Sequence, residues 1–325
     1  MPNVICLGEL LIDFPAGERD ASLAEAVTFA KAPGGAPANV AVGLVRLGVS
    51  AGFIGAVGRD PFGEFLEGVL RREGVDAAHL AKIDGARTTL AFIAARSDGR
   101  KDILFYRNPG ADMMLAPEHV SDEYVRSAEC LHYGSISRID EGPRAATDKA
   151  RRIAAEAGLL VSYDPNWRPT LWPDRDEARR RVLEGFDGAT LAKVSEEEWS
   201  FITGAEDFAA GAKGILDRGV ELVVRSEGPH GASFATVGAS GHVDGFAVNC
   251  VEPTGAGDGF AACLIVELLA HWRQGRRPGE LDIEELHRIV RRANAAGALA
   301  CTQVGAMPSL PTAGELDEFL RRQAS

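Results

Sequence analysis

CLHYGSIS (130–137), LLVSYD (159–164), ATLAKVS (189–195) and ELVVRSEGPHGA (221–232) are short β-prone runs, each parted from the next by a helix-like segment. Pro143–Ala157 and EEEWSFITG (196–204) are two of those segments. Strands alternating with helices in this way predict right-handed crossovers and a mainly parallel sheet covered on both faces. The expected fold is α/β: a three-layer, mainly parallel central sheet flanked by helices. Helical spacing continues through Ile283–Ala300 and Thr312–Arg321, with no internal repeat, low-complexity tract or long linker.

Working towards the N-terminus, Val4–Phe14 (VICLGELLIDF) reads as one buried strand with Asp13 near its C-terminal end. Asp13 either caps the next turn or binds a ligand, because open α/β sheets bind ligands beyond the carboxyl ends of their strands. Pro15–Lys31 is less regular and suits an edge excursion or lid. Next come Gly34 and Gly35, whose missing side chains permit close backbone approach. Val40, Leu44 and Leu47 then mark a helix, with Pro37 in its first turn and Gly48 at its end. Asn39 is either a solvated first-turn residue or a polyol ligand, since its amide both donates and accepts. TTLAFIAAR and ILFYR read as a hairpin turning at Ser97–Arg100. Lid elements are thus expected at about 13–33 and 88–112 of a single domain spanning 1–325. Arg107, at a strand end, is a surface residue or binds an anionic or hydroxylated ligand.

Towards the C-terminus, CVEPTGAGDGFAACL (250–264) is a glycine turn opening an apolar helix. Such a turn leaves backbone N–H groups without intrahelical acceptors, and the helix dipole adds positive potential there. Asp258 in that first turn is either a residue favoured by the dipole or a proton acceptor beside an anion hole. Its spacing lacks the dinucleotide fingerprint, and no G-x-x-x-x-G-K-[ST] loop occurs in the chain.

The 325 residues are 46% hydrophobic, with 35 basic and 47 acidic side chains giving a formal charge of −12. That balance argues against nucleic acid or an anionic membrane as the main partner. Five dispersed cysteines and seven histidines without close pairs argue against structural zinc and read as reduced thiols. With no signal-type or membrane-length apolar run, the chain is expected to be soluble and cytoplasmic.

GGAPANVAVGLVRLG (34–48) and PTGAGDGF (253–260), far apart and in this order, resemble the two signatures of the PfkB (ribokinase-like) family of sugar and nucleoside kinases. The resemblance spans essentially the whole chain. It implies that Asp258 is the general base and that the N–H groups of Gly255, Ala256 and Gly257 form the anion hole. An exposed aspartate there would be ionised at neutral pH. The sugar pocket would comprise Asp13, Gly34, Gly35 and Asn39, with Arg107, Asn166 and Arg168. On the nucleotide side the resemblance places Lys193, Glu198, Ser226, Gly228, Gly231, Thr254, Asn294 and Gly297. It further implies ATP and Mg²⁺, with Glu198 reaching the metal through water. Ser195 stands where the family usually has Asn. Glu252 replaces a common Asp, so a K⁺ site there is an open expectation, as is a homodimer paired through lid strands.

GELLIDF, FYRNPGADMML, SYDPNWRPTLWP and AKVSEEEWSFITG together resemble fructokinases, implying transfer to the 6-hydroxyl of fructose. The rival is 2-keto-3-deoxygluconate kinase, which shares the Asp164-Pro165-Asn166-Trp167-Arg168 element. A sugar acid needs a cation, for which Arg107 and Arg168 are the candidates. A non-catalytic binder on the same fold would have no use for Asp258.

Overall fold

A computed structural model describes residues 1–96 and 101–323. Its strands are β1 (Val4–Leu7), β2 (Leu11–Pro15), β3 (Ala32–Gly34), β4 (Ala51–Gly58), β5 (Asp76–Ile83), β6 (Leu90–Ala95), β7 (Lys101–Tyr106), β8 (Cys130–Tyr133), β9 (Leu160–Tyr163), β10 (Leu191–Ser195), β11 (Leu222–Ser226), β12 (Ala232–Ala235) and β13 (Ser240–Val243). The α-helices are α1 (Ala36–Arg46), α2 (Pro61–Arg72), α3 (Asp122–Arg126), α4 (Glu141–Glu156), α5 (Arg175–Glu184), α6 (Glu196–Thr203), α7 (Phe208–Leu216), α8 (Ala256–Trp272), α9 (Ile283–Ala300), α10 (Ala306–Ser309) and α11 (Ala313–Arg322).

The large sheet has the order β13-β12-β11-β10-β9-β8-β1-β4-β5. It is parallel from β5 through β11, as the alternation predicts. Its far edge, β12 and β13, is antiparallel, a meander that the sequence reading did not separate. β5 was also missed: Asp76, His79 and Lys82 dilute its apolar pattern, since an edge strand is only half buried. One face packs α1, α8 and α9 around Leu44, Phe260, Leu264 and Ile289. The other packs α4, α6 and α7 around Ile153, Trp199 and Ile215. Each such fully buried large apolar side chain contributes about 1.5–3 kcal/mol.

A second, four-stranded sheet has the order β3-β2-β6-β7, and its strands overlap the regions expected as lid elements, 13–33 and 88–112, without filling them. β6 and β7 pair antiparallel; the turn expected at Ser97–Arg100 lies outside the described residues. The expectation of one strand over Val4–Phe14 is corrected here. β1 belongs to the large sheet and β2 to the small one, so the chain changes sheets across Gly8-Glu9-Leu10. Gly8 permits this, because a Cβ on it would sit 2.6 Å from the Pro37 ring at the start of α1. Apolar continuity hides the break, since both segments are buried.

Candidate active site

Gly255 caps α8 in the left-handed conformation, φ +88°, which glycine adopts at no steric cost. A Cβ there would also lie 2.9 Å from the Ala306 Cα. The ladder of α8 begins with the Gly259 N–H donating to Gly255 O at 2.8 Å, so the Gly257 and Asp258 N–H groups precede the first internal bond. One expected donor is corrected: the Ala256 N–H closes the turn onto Pro253 O at 3.2 Å. Lys193, on β10, compensates with a full charge. Its ammonium lies 3.2 Å from where a Gly257 Cβ would stand and donates to Asp164 Oδ2 at 2.9 Å.

Asp258 is held from the other side by Asn39, whose Nδ2 donates to Oδ2 at 2.7 Å. Helix packing causes this meeting. One turn further along each helix, Gly43 of α1 faces Ala262 of α8, with the Ala262 methyl 2.8 Å from a notional Gly43 Cβ. The close crossing draws the two first turns together. Asn39 is therefore buried, which sets aside the solvated reading, and its Oδ1 has no partner. Asp258 is half-buried rather than exposed. Burial pushes its carboxyl up to about 6, with Asp164 adding to the rise while Asn39, Lys193 and Arg168 oppose it. The expectation of an ordinary exposed carboxylate is corrected accordingly.

Beside this centre, Asp13 on β2 packs its carboxylate against Gly34, 2.1 Å from a notional Cβ. Gly35 (φ +108°) rests on the Glu9 carbonyl, 2.3 Å from its own notional Cβ. Arg107 is buried and pairs with Asp112 at 2.6 Å and Asp140 at 3.0 Å. It is neither a surface residue nor an uncommitted cation. Arg168 donates to the carbonyls of Asn166 and Trp167 at 3.3 and 3.2 Å, steadying a loop in which Asn166 takes φ +45°. Its charge still reaches Asp258 and Glu9. Glu9 and Asp164, both buried, were not among the expected site residues. Each lies in an apolar run, where a lone acid leaves no periodic signal.

Several nucleotide-side expectations change character. Glu198 is buried with both carboxylate oxygens engaged, accepting from Ser195 N at 2.8 Å and Trp167 N at 2.7 Å. It therefore ties the first turn of α6 to the Asp164–Arg168 loop; desolvation and Asp164 raise its carboxyl, Lys193 lowering it. Burial alone would lower Lys193, but Asp164, Glu198 and Asp258 outweigh it and hold the ammonium above its ordinary value. Asn294 donates its amide Nδ2 to the carbonyls of Val243 and Asp244 at 3.0 and 3.3 Å, clamping a loop. Gly297 lets α9 approach the turn, its notional Cβ 3.2 Å from Ala256 O. Ser226 ends β11, followed by Gly228 (φ +55°) and Gly231 (φ +106°) in a tight connection to β12. Thr254 is half-buried on the approach to the turn. Glu252 Oε2 accepts from Gly305 N at 2.9 Å, joining the loops on either side of Gly255.

The donor set fits an anion: two first-turn N–H groups, a helix N-terminus and a buried ammonium converge beside a carboxylate that can take a proton. Among the described residues no three His, Cys, Asp or Glu side chains converge as a metal cage.

A family model described as pfkB family carbohydrate kinase matches residues 1–313. The chain is 43% identical over 319 residues to "Probable fructokinase-4" of Arabidopsis thaliana, covering 98% of this chain and 96% of that one. The fructokinase of Xylella fastidiosa with bound ATP superposes with a TM-score of 0.89 at 32% identity, covering 100% of both chains. A double mutant of the Vibrio cholerae fructokinase, in a fructose-, ADP- and potassium-bound form, gives 0.86 at 34% identity and 98% coverage of each. The chain belongs to the pfkB family of carbohydrate kinases, and it is an ATP-dependent sugar kinase.

Proposed function

We propose that the enzyme is a fructokinase, moving the γ-phosphoryl group of ATP to the 6-hydroxyl of fructose to give fructose 6-phosphate. The observation that carries the neutral sugar is the state of Arg107. Buried between Asp112 and Asp140, it is already neutralised, which leaves a sugar acid only Arg168 of the two candidate cations. The names of the relatives point the same way.

In this reading Asp258 takes the proton of the attacking hydroxyl, and Asn39 holds its carboxylate towards the sugar. The Gly257 and Asp258 N–H groups, with Lys193, hold the transferred group, whose charge spreads over its oxygens in the transition state. Asp164 and Glu198, whose charges act on Lys193, are the carboxylates that would hold Mg²⁺ through water. The ion, when bound, neutralises charge on the β- and γ-oxygens. Glu252 and the loop carbonyls around Cys301 are the candidates for a K⁺ site. Closure of the small sheet over the sugar would exclude water and direct the phosphoryl group to the hydroxyl.

A homodimer is the proposed assembly, supported by the edge strand β7, where Leu104 and Tyr106 are exposed beside unpaired backbone groups. The cytoplasm is the proposed location, in keeping with five free thiols. Among the described residues no helix is long and apolar enough to cross a membrane.

ADP release is measured with Mg·ATP and fructose, 2-keto-3-deoxygluconate, ribose or adenosine, with Asp258→Asn alongside. Turnover of fructose above the others, lost in the variant, is the expected result. Turnover of the keto-acid alone would keep the mechanism and move the substrate to the rival. Sugar binding without turnover would overturn the kinase reading.

A further inference from the structure

Glu9 lies in the crossing between β1 and β2, directly beneath the glycine pair, and is 4% exposed. Its Oε1 accepts the Ala36 N–H at 3.1 Å, pinning the start of α1. Its Oε2, also buried, has no hydrogen-bond partner. Buried polar atoms in native proteins are almost always satisfied, so an orphaned carboxylate oxygen beside the glycine pair calls for a donor from a ligand.

The groups around Glu9 come from the sugar side of the site. Arg168, from the loop after β9, favours its charge, and Asp112, from the turn after β7, opposes it. Glu9 acts in turn on Arg107. Burial pushes the Glu9 carboxyl up to about 7, against the pull of its own N–H, the Ala36 N–H and Arg168. Asn39, four residues into the chain beyond Gly35, presents a second buried acceptor without a partner, Oδ1. Orphaned acceptors around a glycine pair fit a neutral polyol, which supplies hydroxyl donors. The carboxylate of a sugar acid would supply none and would repel Glu9.

We infer that Glu9 is a sugar-binding and specificity-determining residue: its Oε2 accepts a hydrogen bond from a hydroxyl of the acceptor sugar beneath Gly34 and Gly35. This assignment rests on the sugar-kinase reading above and adds to it a contact that favours neutral sugars over acids.

The test is Glu9→Gln, which keeps an oxygen for the Ala36 N–H and replaces Oε2 with a donor. Loss of a charge-assisted hydrogen bond raises the KM for fructose by about tenfold or more. The KM for ATP and the melting temperature stay at wild-type values, and kcat changes less than KM. Glu9→Asp, which retains the charge, recovers part of the fructose affinity. A fructose KM within twofold of wild type in Glu9→Gln overturns the inference. So does a parallel loss of ATP affinity and melting temperature, the mark of a merely structural role. If the wild type turns over another sugar instead of fructose, the fructose reading fails, and the same KM comparison on that sugar decides Glu9. If it turns over none, calorimetric titration of sugar into both proteins decides it, and absence of sugar binding overturns both.

Discussion

Replacing Lys193 by Met should separate stability from catalysis at one buried pair. The Lys193 and Asp164 side chains are 7% and 6% exposed, with Nζ and Oδ2 at 2.9 Å. At an effective dielectric near 20 their attraction is about 6 kcal/mol, most of which desolvation offsets. Removing the ammonium leaves Asp164 buried without its counter-charge, and Glu198 loses the same neighbour. Stranding a buried charge costs about 3–5 kcal/mol. With an m-value near 3 kcal/mol/M, the urea midpoint falls by about 1–2 M. Adding Asp164→Asn removes the stranded charge while keeping an oxygen for the Asn166 N–H, which Asp164 Oδ1 now accepts at 3.2 Å. The double variant should therefore regain most of the lost stability. It should not regain activity. Lys193 stands against Gly257, the proposed seat of the phosphoryl group, and loss of one such donor slows turnover by roughly 10²–10³-fold. Urea unfolding and steady-state ADP release on the single and double variants give the readout. A double variant that recovers both stability and turnover would refute the reasoning, reducing Lys193 to a structural partner of Asp164.

Asp258→Asn should lower kcat by about 10²–10⁴-fold, the usual share of a general base, with an unchanged melting curve. At saturating fructose, kcat should fall tenfold per unit as pH drops below about 6, because the base must be ionised and burial has raised its carboxyl to that value; a profile flat down to pH 5 would contradict the assignment. Asn39→Ala removes a bond that favours the carboxylate, so the same acid limb should move upward, by about one to two pH units for a charge-assisted bond. Gly43→Val should wedge α1 from α8 at Ala262, breaking the Asn39–Asp258 contact and costing about 1–3 kcal/mol of stability from overpacking; wild-type turnover in a folded Gly43→Val protein would show that the crossing does not position the site.

Much of this molecule was legible in local patterns. The alternation from Cys130 onward reports β8 to β11 and their helices, because a parallel strand buried on both faces must be continuously apolar. Gly255 and Asp258 report the turn that opens α8, because a left-handed cap before a helix selects glycine and a first-turn acid suits the dipole. Texture alone separated the small sheet at β6 and β7. The split of Val4–Pro15 between two sheets was not legible, since apolar residues run through both halves.

By itself, then, the sequence determined what repeats along the chain or depends on a residue's own backbone: the α/β alternation, the helix starts, the glycine turns and the acid in the first turn of α8. Tertiary structure decided the rest. It set Asn39 against Asp258 across a glycine crossing, committed Arg107 to Asp112 and Asp140, spent both Glu198 oxygens on backbone donors and left Glu9 with an unpaired one. The decisive contacts, Asn39 with Asp258, Trp167 with Glu198 and Arg107 with Asp140, join residues distant in sequence, and the charge state of a buried group depends on whatever the fold brings beside it. No local pattern encodes that neighbour, so the protonation and pairing of the site are properties of the folded chain.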